Sequence, residues 1–338
     1  MSKNMARFCC LDTYSYALFF ISSLVLAFHF HASEAQAHPQ VVKGLSFSFF
    51  SKTCPNLETV VRDHLSKVLK KDNGQAPGLL RIFFHDCFVT GCDGSILLDA
   101  KGGKDEKGEI KNVGIRKEAL RTIDDIRSIV HNKCGRIVSC ADITVLAARE
   151  AVFQSGGPLI KVPLGRRDSL TFNTKATSKI PSPFKKTNET IKTFAEQNFD
   201  VTDVVALSGA HTFGRAHCST FSKRLSSKDP TMEKSLAKSL KTRCPNASSD
   251  NTANLDLRTP TFFDNKYYLE LMNSRGLFTS DQDLFNDKRT KGLVTSFANN
   301  QKLFFEKFSV AITKMSQLSV LTGNQGEIRA KCNVVNTK

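Results

Sequence analysis

Apolar residues recur at three-to-four spacing over Glu58 to Lys71, Arg116 to Lys133, Cys140 to Gln154, Thr187 to Asn198, Asp203 to Thr212, Tyr267 to Ser274 and Gln301 to Leu318. That period keeps one face of a helix apolar, and few segments alternate as half-buried strands do, so the pattern predicts a mainly α-helical chain. Gly156-Gly157-Pro158 and Pro181-Ser182-Pro183 punctuate it. Lys101 to Lys111 reads as a charged, glycine-rich loop, and Leu225 to Asn254 mixes one helical segment with loop. There is no internal repeat and no low-complexity linker.

The start of the chain follows a different pattern. Lys3 and Arg7 precede an uncharged run from Ala17 to Phe28, followed by Ala35-Gln36-Ala37. This is the order of a secretory signal, and the apolar run is short for a membrane span. The expected division is a signal peptide over 1–37 and one domain over 38–338. The domain, about 300 residues, is large enough for one big core or two lobes that share one. The net charge of +16 comes from lysines spread along the chain. No basic block interleaved with aromatics suggests a nucleic-acid groove, which leaves solubility or attraction to acidic cell-surface polysaccharide. Export also suits the cysteines. Ten become eight once Cys9 and Cys10 leave, an even set that argues for four disulfides whose pairing the spacing leaves open. Asn188-Glu189-Thr190 and Asn246-Ala247-Ser248 are glycan acceptor sequons.

Candidate chemistry concentrates in Leu79 to Asp99, LLRIFFHDCFVTGCDGSILLD. No helix breaker lies between Gly78 and Gly91, so Arg81 and His85, four apart, project from one helix face with Phe84 beside them. A fixed cation and a titratable base sharing an apolar pocket suit a site that moves one proton and stabilises the charge left behind. Asp86, Asp93 and Ser95 around Gly91 and Gly94 supply hard oxygen ligands on flexible backbone, as calcium requires; a capped polar turn is the plainer reading. A second histidine, His211 in DVVALSGAHTFGRAHC, follows an amphipathic helix expected to open near Thr202, and its small neighbours Gly209 and Ala210 leave room for a flat ligand. His211 and His217 are six apart, unlike the HExxH spacing of a zinc protease.

Taken in order, RIFFHDCF with GCDGS, then SGAHTFGRAHC, then DLRTPTFFDNKYY and SDQDLF resemble the class III secretory plant haem peroxidases, from Phe50-Ser51-Lys52-Thr53-Cys54-Pro55 to Cys332. The resemblance implies a two-lobed helical fold with haem b, iron protoporphyrin IX, between a distal and a proximal helix. It implies His211 as axial ligand and Asp281 as acceptor of that imidazole's other proton. On the distal side it implies His85 as base, Arg81 as charge stabiliser, Asn112 as the residue orienting His85, and Phe84 as a shield. Hydrogen peroxide would be reduced through an oxo-ferryl state, and phenolic donors would be oxidised by successive one-electron steps. Two calcium ions are implied, one at Asp86, Val89, Gly91, Asp93 and Ser95, the other at Thr212, Asp256, Thr259, Phe262 and Asp264. The implied disulfides are Cys54 with Cys134, Cys87 with Cys92, Cys140 with Cys332 and Cys218 with Cys244, and the Pro181 carbonyl would orient donors. The expected setting is a secreted monomer in the cell wall rather than the vacuole, free of membrane once the signal is cleaved, with roles in phenolic and lignin oxidation, peroxide removal and stress.

Three positions depart from that family's usual residues: Lys111 stands where a proline commonly precedes the asparagine, Ile160 where tryptophan is usual, and Glu150 in place of aspartate. Two rival readings remain at this stage: a haem-dead relative that coats polysaccharide, and a zinc hydrolase using His211 and His217.

Overall fold

A computed structural model describes residues 39–225 and 229–337. The expected signal peptide lies outside them. Eleven α-helices are described: α1 Leu57–Lys71, α2 Gln75–Cys87, α3 Lys117–Cys134, α4 Cys140–Gln154, α5 Thr187–Ala195, α6 Val201–Ser208, α7 Lys234–Arg243, α8 Lys266–Met272, α9 Thr279–Asn286, α10 Lys291–Asn299 and α11 Gln301–Met315. The described strands are β1, Arg215–His217, and β2, Thr252–Asn254, paired antiparallel with Ala216 opposite Ala253. The chain is mainly α, as its periodicity predicts.

Helix α4 is the centre of one half. Every residue from Cys140 to Val152 is buried, and α1, α2 and α3 all pack on it. Its sequence, CADITVLAAREAVF, is apolar or small on all sides, which suits a helix surrounded by others. Ser139 caps it by accepting from the Asp142 amide at 3.0 Å. The carboxylate of Asp168 adds acceptors for the Cys140 and Ala141 amides at 3.1 and 2.8 Å, where the positive end of the helix dipole favours an anion. In the other half α11 packs on α6 and α10, and α8 on α10. Most apolar side chains join one large core, while a smaller cluster gathers Phe221, Leu236, Leu240, Leu277 and Phe278 around Cys218 and Cys244.

Four disulfides cross-link the chain: Cys54 with Cys134, Cys87 with Cys92, Cys140 with Cys332 and Cys218 with Cys244. Two departures become clear in this frame. Ile160 is fully packed in the large core, and the carboxylate of Glu150 is fully buried in a two-bond pair with Arg62 at 2.9 and 3.1 Å.

Several helices end earlier than their periodicity predicts, each for a local reason. Helix α6 opens at Val201, near Thr202 as expected, because Asp200 and Asp203 form a reciprocal capping box. It stops at Ser208 because the Tyr268 hydroxyl donates to the Val205 carbonyl at 2.8 Å, the acceptor a continuing helix would give to Gly209. A 3-10 turn, Gly209–Thr212, follows and carries His211. Helix α5 ends at Ala195 rather than Asn198, where Asn198 turns left-handed (φ 62°) and the Phe199 amide takes the Phe194 carbonyl. Helix α8 begins at Lys266 and ends at Met272, before left-handed Ser274. Helix α11 stops at Met315 instead of Leu318, beside Ser316, whose carbonyl is held by the Arg166 Nε at 2.9 Å.

Arg166 is fully buried and also donates to Asp142 at 2.8 Å and to the Pro163 carbonyl at 2.7 Å. Removing one half of such a pair strands the other charge in a medium that cannot solvate it. Arg166→Ala is expected to cost about 3–5 kcal/mol, measured by denaturant unfolding of the intact protein; a loss below about 1 kcal/mol would show that water replaces the guanidinium.

Candidate active site

Helix α2 sets Arg81 and His85 one turn apart. Pro77 sits in its first turn, where a missing amide proton costs nothing, and buried Leu79, Leu80, Ile82 and Phe83 hold the helix in the core. The His85 Nδ1 lies 2.6 Å from the Asn112 Oδ1. Because the Asn112 amide nitrogen donates to the Glu106 carbonyl at 2.6 Å, its oxygen must face the ring, so Nδ1 carries the proton. The lone pair is therefore on Nε2, which accepts from the Arg81 Nε at 3.3 Å. Burial first, then the Arg81 cation, push the His85 pKa down to about 3, so this imidazole is a neutral base at physiological pH. The other end of the guanidinium is fixed by the Lys111 and Val113 carbonyls at 3.3 and 3.1 Å. Phe84 stands edge-on to His85, ring centroids 5.7 Å apart, and packs on Phe88 at 4.6 Å.

His211 is held in the opposite sense. Its Nδ1 donates to the Asp281 Oδ1 at 2.7 Å. That oxygen also accepts from the Tyr267 hydroxyl at 3.0 Å, and the other from the Phe278 amide at 2.8 Å. The His211 Nε2 has no hydrogen-bond partner among the described residues, and the side chain stays 36% exposed. One nitrogen is thus anchored to a buried carboxylate while the other offers a free lone pair, the arrangement of a metal-ligating histidine.

The two networks are neighbours. Gly214, three residues after His211, lies so close to α2 that a Cβ there would come within 2.8 Å of the Pro77 Cβ, and its φ of 97° is one that a larger residue would resist. His217 has moved to the distal side: a Cβ on Gly114 would lie 2.9 Å from its Nε2 and 3.6 Å from an Arg81 nitrogen. Among the described residues no three His, Cys, Asp or Glu side chains gather as a metal site of those types would need. A strap from Ile180 to Phe184 spans both networks. The Lys111 Nζ donates to the Ile180 carbonyl at 2.8 Å, beside Asn112, and the Ser280 amide donates to the Pro183 carbonyl at 3.1 Å, beside Asp281. The Pro181 carbonyl accepts no hydrogen bond from the described residues.

Each histidine is followed by an oxygen-rich loop. After His85, Asp86 accepts from the Gly94 and Ile96 amides at 2.9 and 3.3 Å, and Asp93 from the Ser95 amide and the Thr90 hydroxyl at 3.0 and 3.1 Å. Gly91 is left-handed (φ 133°) and pressed against the Ser319 backbone. Burial, then the neighbouring Asp93, push the Asp86 pKa well up, and burial raises Glu106 to about 7. The Val89 carbonyl accepts from the Lys179 Nζ at 3.2 Å. After His211, the Thr212 hydroxyl bridges Asp256 at 3.3 Å and Asp264 at 3.2 Å. Thr259 donates its amide to Asp256 at 3.2 Å, and Phe262 donates its amide to the Thr259 carbonyl at 3.0 Å. Burial raises Asp256 to about 6, with Asp264 adding to it. Buried carboxylates that push one another's pKa upward are short of positive charge.

The sequence reading missed Glu106, whose carbonyl holds Asn112 and whose carboxylate meets Ser95 at 3.5 Å, and Tyr267, which shares Asp281 with His211. Glu106 sits in a run of charges that looks solvated, so only coordinates expose it. Tyr267 lies in DNKYY, one of the motifs quoted for the family likeness.

The family sequence model described as Peroxidase matches residues 61–300. The chain belongs to the peroxidase family. This peroxidase is 53% identical over 302 residues to Peroxidase 12 of Arabidopsis thaliana, covering 88% of this chain and 84% of that one. It is 46% identical to Cationic peroxidase SPC4 of Sorghum bicolor over 88% and 84% of the two chains, and 44% identical to Peroxidase N of Armoracia rusticana over 86% and 91%. It is therefore an oxidoreductase that uses hydrogen peroxide to oxidise a reducing substrate, and the family implies a haem cofactor. Among the described residues no helix is long and apolar enough to cross a membrane.

Proposed function

We propose that this chain is an exported peroxidase that binds haem b between His211 and the Arg81–His85 pair and oxidises phenolic donors one electron at a time. One observation carries the reading: both imidazoles are anchored through Nδ1 and turn Nε2 away from that anchor, toward Arg81 in His85 and toward no partner among the described residues in His211, but His85 is backed by a neutral amide and His211 by a carboxylate. An amide leaves its histidine a neutral base, whereas a carboxylate makes its histidine a stronger metal ligand. The unpartnered His211 Nε2 fits an axial ligand to haem iron.

The reaction converts one hydrogen peroxide and two phenols into two waters and two phenoxyl radicals, each phenol giving up one electron and one proton. Bound haem would supply the electron transfer that breaks the O–O bond. The His85 Nε2 would take a proton from one peroxide oxygen and return it to the departing one, while Arg81 stabilises the negative charge that develops between these events. Asn112 would keep the proton of His85 on Nδ1 and so its base facing peroxide. Phe84 would deny donors direct access, and the free Pro181 carbonyl would accept a hydrogen bond from the phenol. Purified protein should show a haem absorption band and oxidise 2-methoxyphenol only when peroxide is present; protein that carries no haem after expression with ample haem would overturn the reading.

Two calcium ions would answer the shortage of positive charge in the loops, one held by Asp86, Val89, Gly91, Asp93 and Ser95, the other by Thr212, Asp256, Thr259, Phe262 and Asp264. On the distal side an incoming ion would displace the Lys179 ammonium from the Val89 carbonyl. Chelation is expected to lower the thermal midpoint by about 5–10 °C and to reduce activity with it. A midpoint unchanged by chelator, with no calcium found by elemental analysis, would remove the assignment.

The proposed domain is 38–338 with a cleaved signal over 1–37, and the proposed location is outside the cell, at the wall. Asn188 and Asn246 are both exposed, as glycan acceptors must be, and the +16 charge suits acidic wall polysaccharide.

A further inference from the structure

Lys111 lies where the distal network meets the surface. Its carbonyl accepts from Arg81, the next residue holds His85, and its ammonium reaches 69 residues along the chain to the Ile180 carbonyl. This ammonium has a dipole partner but no ion pair: its only hydrogen-bond acceptor is a neutral carbonyl, and no carboxylate stands within 4 Å of it among the described residues. Its charged neighbour is another cation: Lys185 stands close enough to lower the Lys111 pKa, an effect that adds to the larger one of burial. Lys185 has Glu189 as its own partner. Lys223 lies over the Phe184 ring at 5.6 Å, so a further cation flanks the far end of the strap.

The same rim is apolar where it meets solvent. Ile110 is 84% exposed, Val113 62% and Phe184 45%. Large exposed side chains on either side of an unpaired cation, next to the free Pro181 carbonyl, make a surface with three properties: apolar area for a ring, an acceptor for a hydroxyl, and a positive charge for an anion.

We propose that Lys111 is a specificity-determining residue that selects aromatic donors bearing a carboxylate over neutral donors of the same shape. The inference rests on the donor-oxidising reading above and adds the charge class of the donor. Half-buried, the ammonium is screened less than a surface lysine, and its tie to Ile180 lowers the entropy lost on pairing.

The test compares 4-hydroxy-3-methoxycinnamate with its methyl ester, which differ in the carboxylate alone. Binding to the haem-loaded protein is measured by calorimetry without peroxide, and kcat/KM for the two donors is measured separately. The acid is expected to bind about fivefold tighter than the ester, the size of one partly exposed ion pair. Lys111→Gln should abolish the difference, Lys111→Arg should retain it, and salt at about 0.5 M should narrow it. Equal binding of acid and ester to the unaltered protein, or equal loss in the Gln and Arg variants, would overturn the assignment. The two readings fail separately: turnover of both donors with no preference sinks only the Lys111 inference. A binding preference without peroxide-dependent oxidation of either donor sinks the function instead.

Discussion

Leucine in place of His85 is expected to leave haem bound and to slow peroxide consumption by about 10²–10⁴-fold, the usual contribution of a positioned proton carrier. The hydrogen-bond network aims the basic nitrogen of this imidazole away from its anchor: Nδ1 is fixed by Asn112 and Nε2 meets only the Arg81 Nε. Leucine keeps the apolar volume between Phe84 and the buried face of α2, so folding should survive while the base is lost. Stopped-flow mixing with peroxide measures the step directly, and slowing of less than about tenfold would assign the base elsewhere. The pH profile adds a second readout. Burial and Arg81 depress the His85 pKa to about 3, so the free base persists and the rate should stay flat from pH 7 down to about 4, falling below that as Nε2 takes a proton. The same shift bears on stability. The folded pKa is lower than the unfolded one, so the folded state refuses a proton that the unfolded chain accepts. This contribution is therefore fully present above about pH 6.5 and is lost as pH falls from there toward 3.

The residues that made this prediction possible were legible because they sit on regular periodicity. RxxxH on a stretch without breakers puts both side chains on one face whatever surrounds the helix, and Cys140 to Gln154 runs as drawn because a continuous apolar pattern bounded by Ser139 and Gly156 leaves little else for the chain to do. Legibility failed where polar residues are buried by partners distant in sequence. Thr279–Asn286 shows no apolar stripe, yet it is a helix whose buried residues are Asp281, Gln282 and Leu284. Its first turn is held by Asp281 capping the Phe278 amide and by Asp283 accepting from the Thr187 amide at 2.7 Å. Lys291–Asn299 was missed likewise, since three buried side chains, Val294, Phe297 and Ala298, give too little period to detect. Lys111 is the instructive case. In sequence it is one charge in a charged loop and a departure from a family pattern, which weakens the case for Asn112 beside it. In the fold its carbonyl and its ammonium tie that loop to Arg81 and to Ile180, so this lysine braces the loop that carries Asn112.

Alanine in place of His211 is expected to yield folded protein that retains little or no haem. Asp281 would not be left stranded, because Tyr267 and the Phe278 amide still hold its two oxygens; the buried carboxylate keeps hydrogen bonds and the smaller core cluster keeps Leu277 and Phe278. What disappears is the His211 Nε2, which has no hydrogen-bond partner among the described residues. The chain has no tryptophan and four tyrosines, two of which, Tyr14 and Tyr16, fall within the expected signal. Emission from the mature protein would then come from Tyr267 and Tyr268 alone, and the Tyr267 ring centroid lies 6.1 Å from that of His211. Tyrosine emission, quenched when a porphyrin is bound nearby, should rise in His211→Ala while helical circular dichroism is unchanged, and the haem absorption band should be lost on gel filtration. Free imidazole added to the variant should restore haem binding by filling the vacated ligand position against Asp281. A variant that keeps its full haem band without added imidazole would mean that the iron is held by another side chain, and the opposed roles drawn from the amide behind His85 and the carboxylate behind His211 would have to be abandoned.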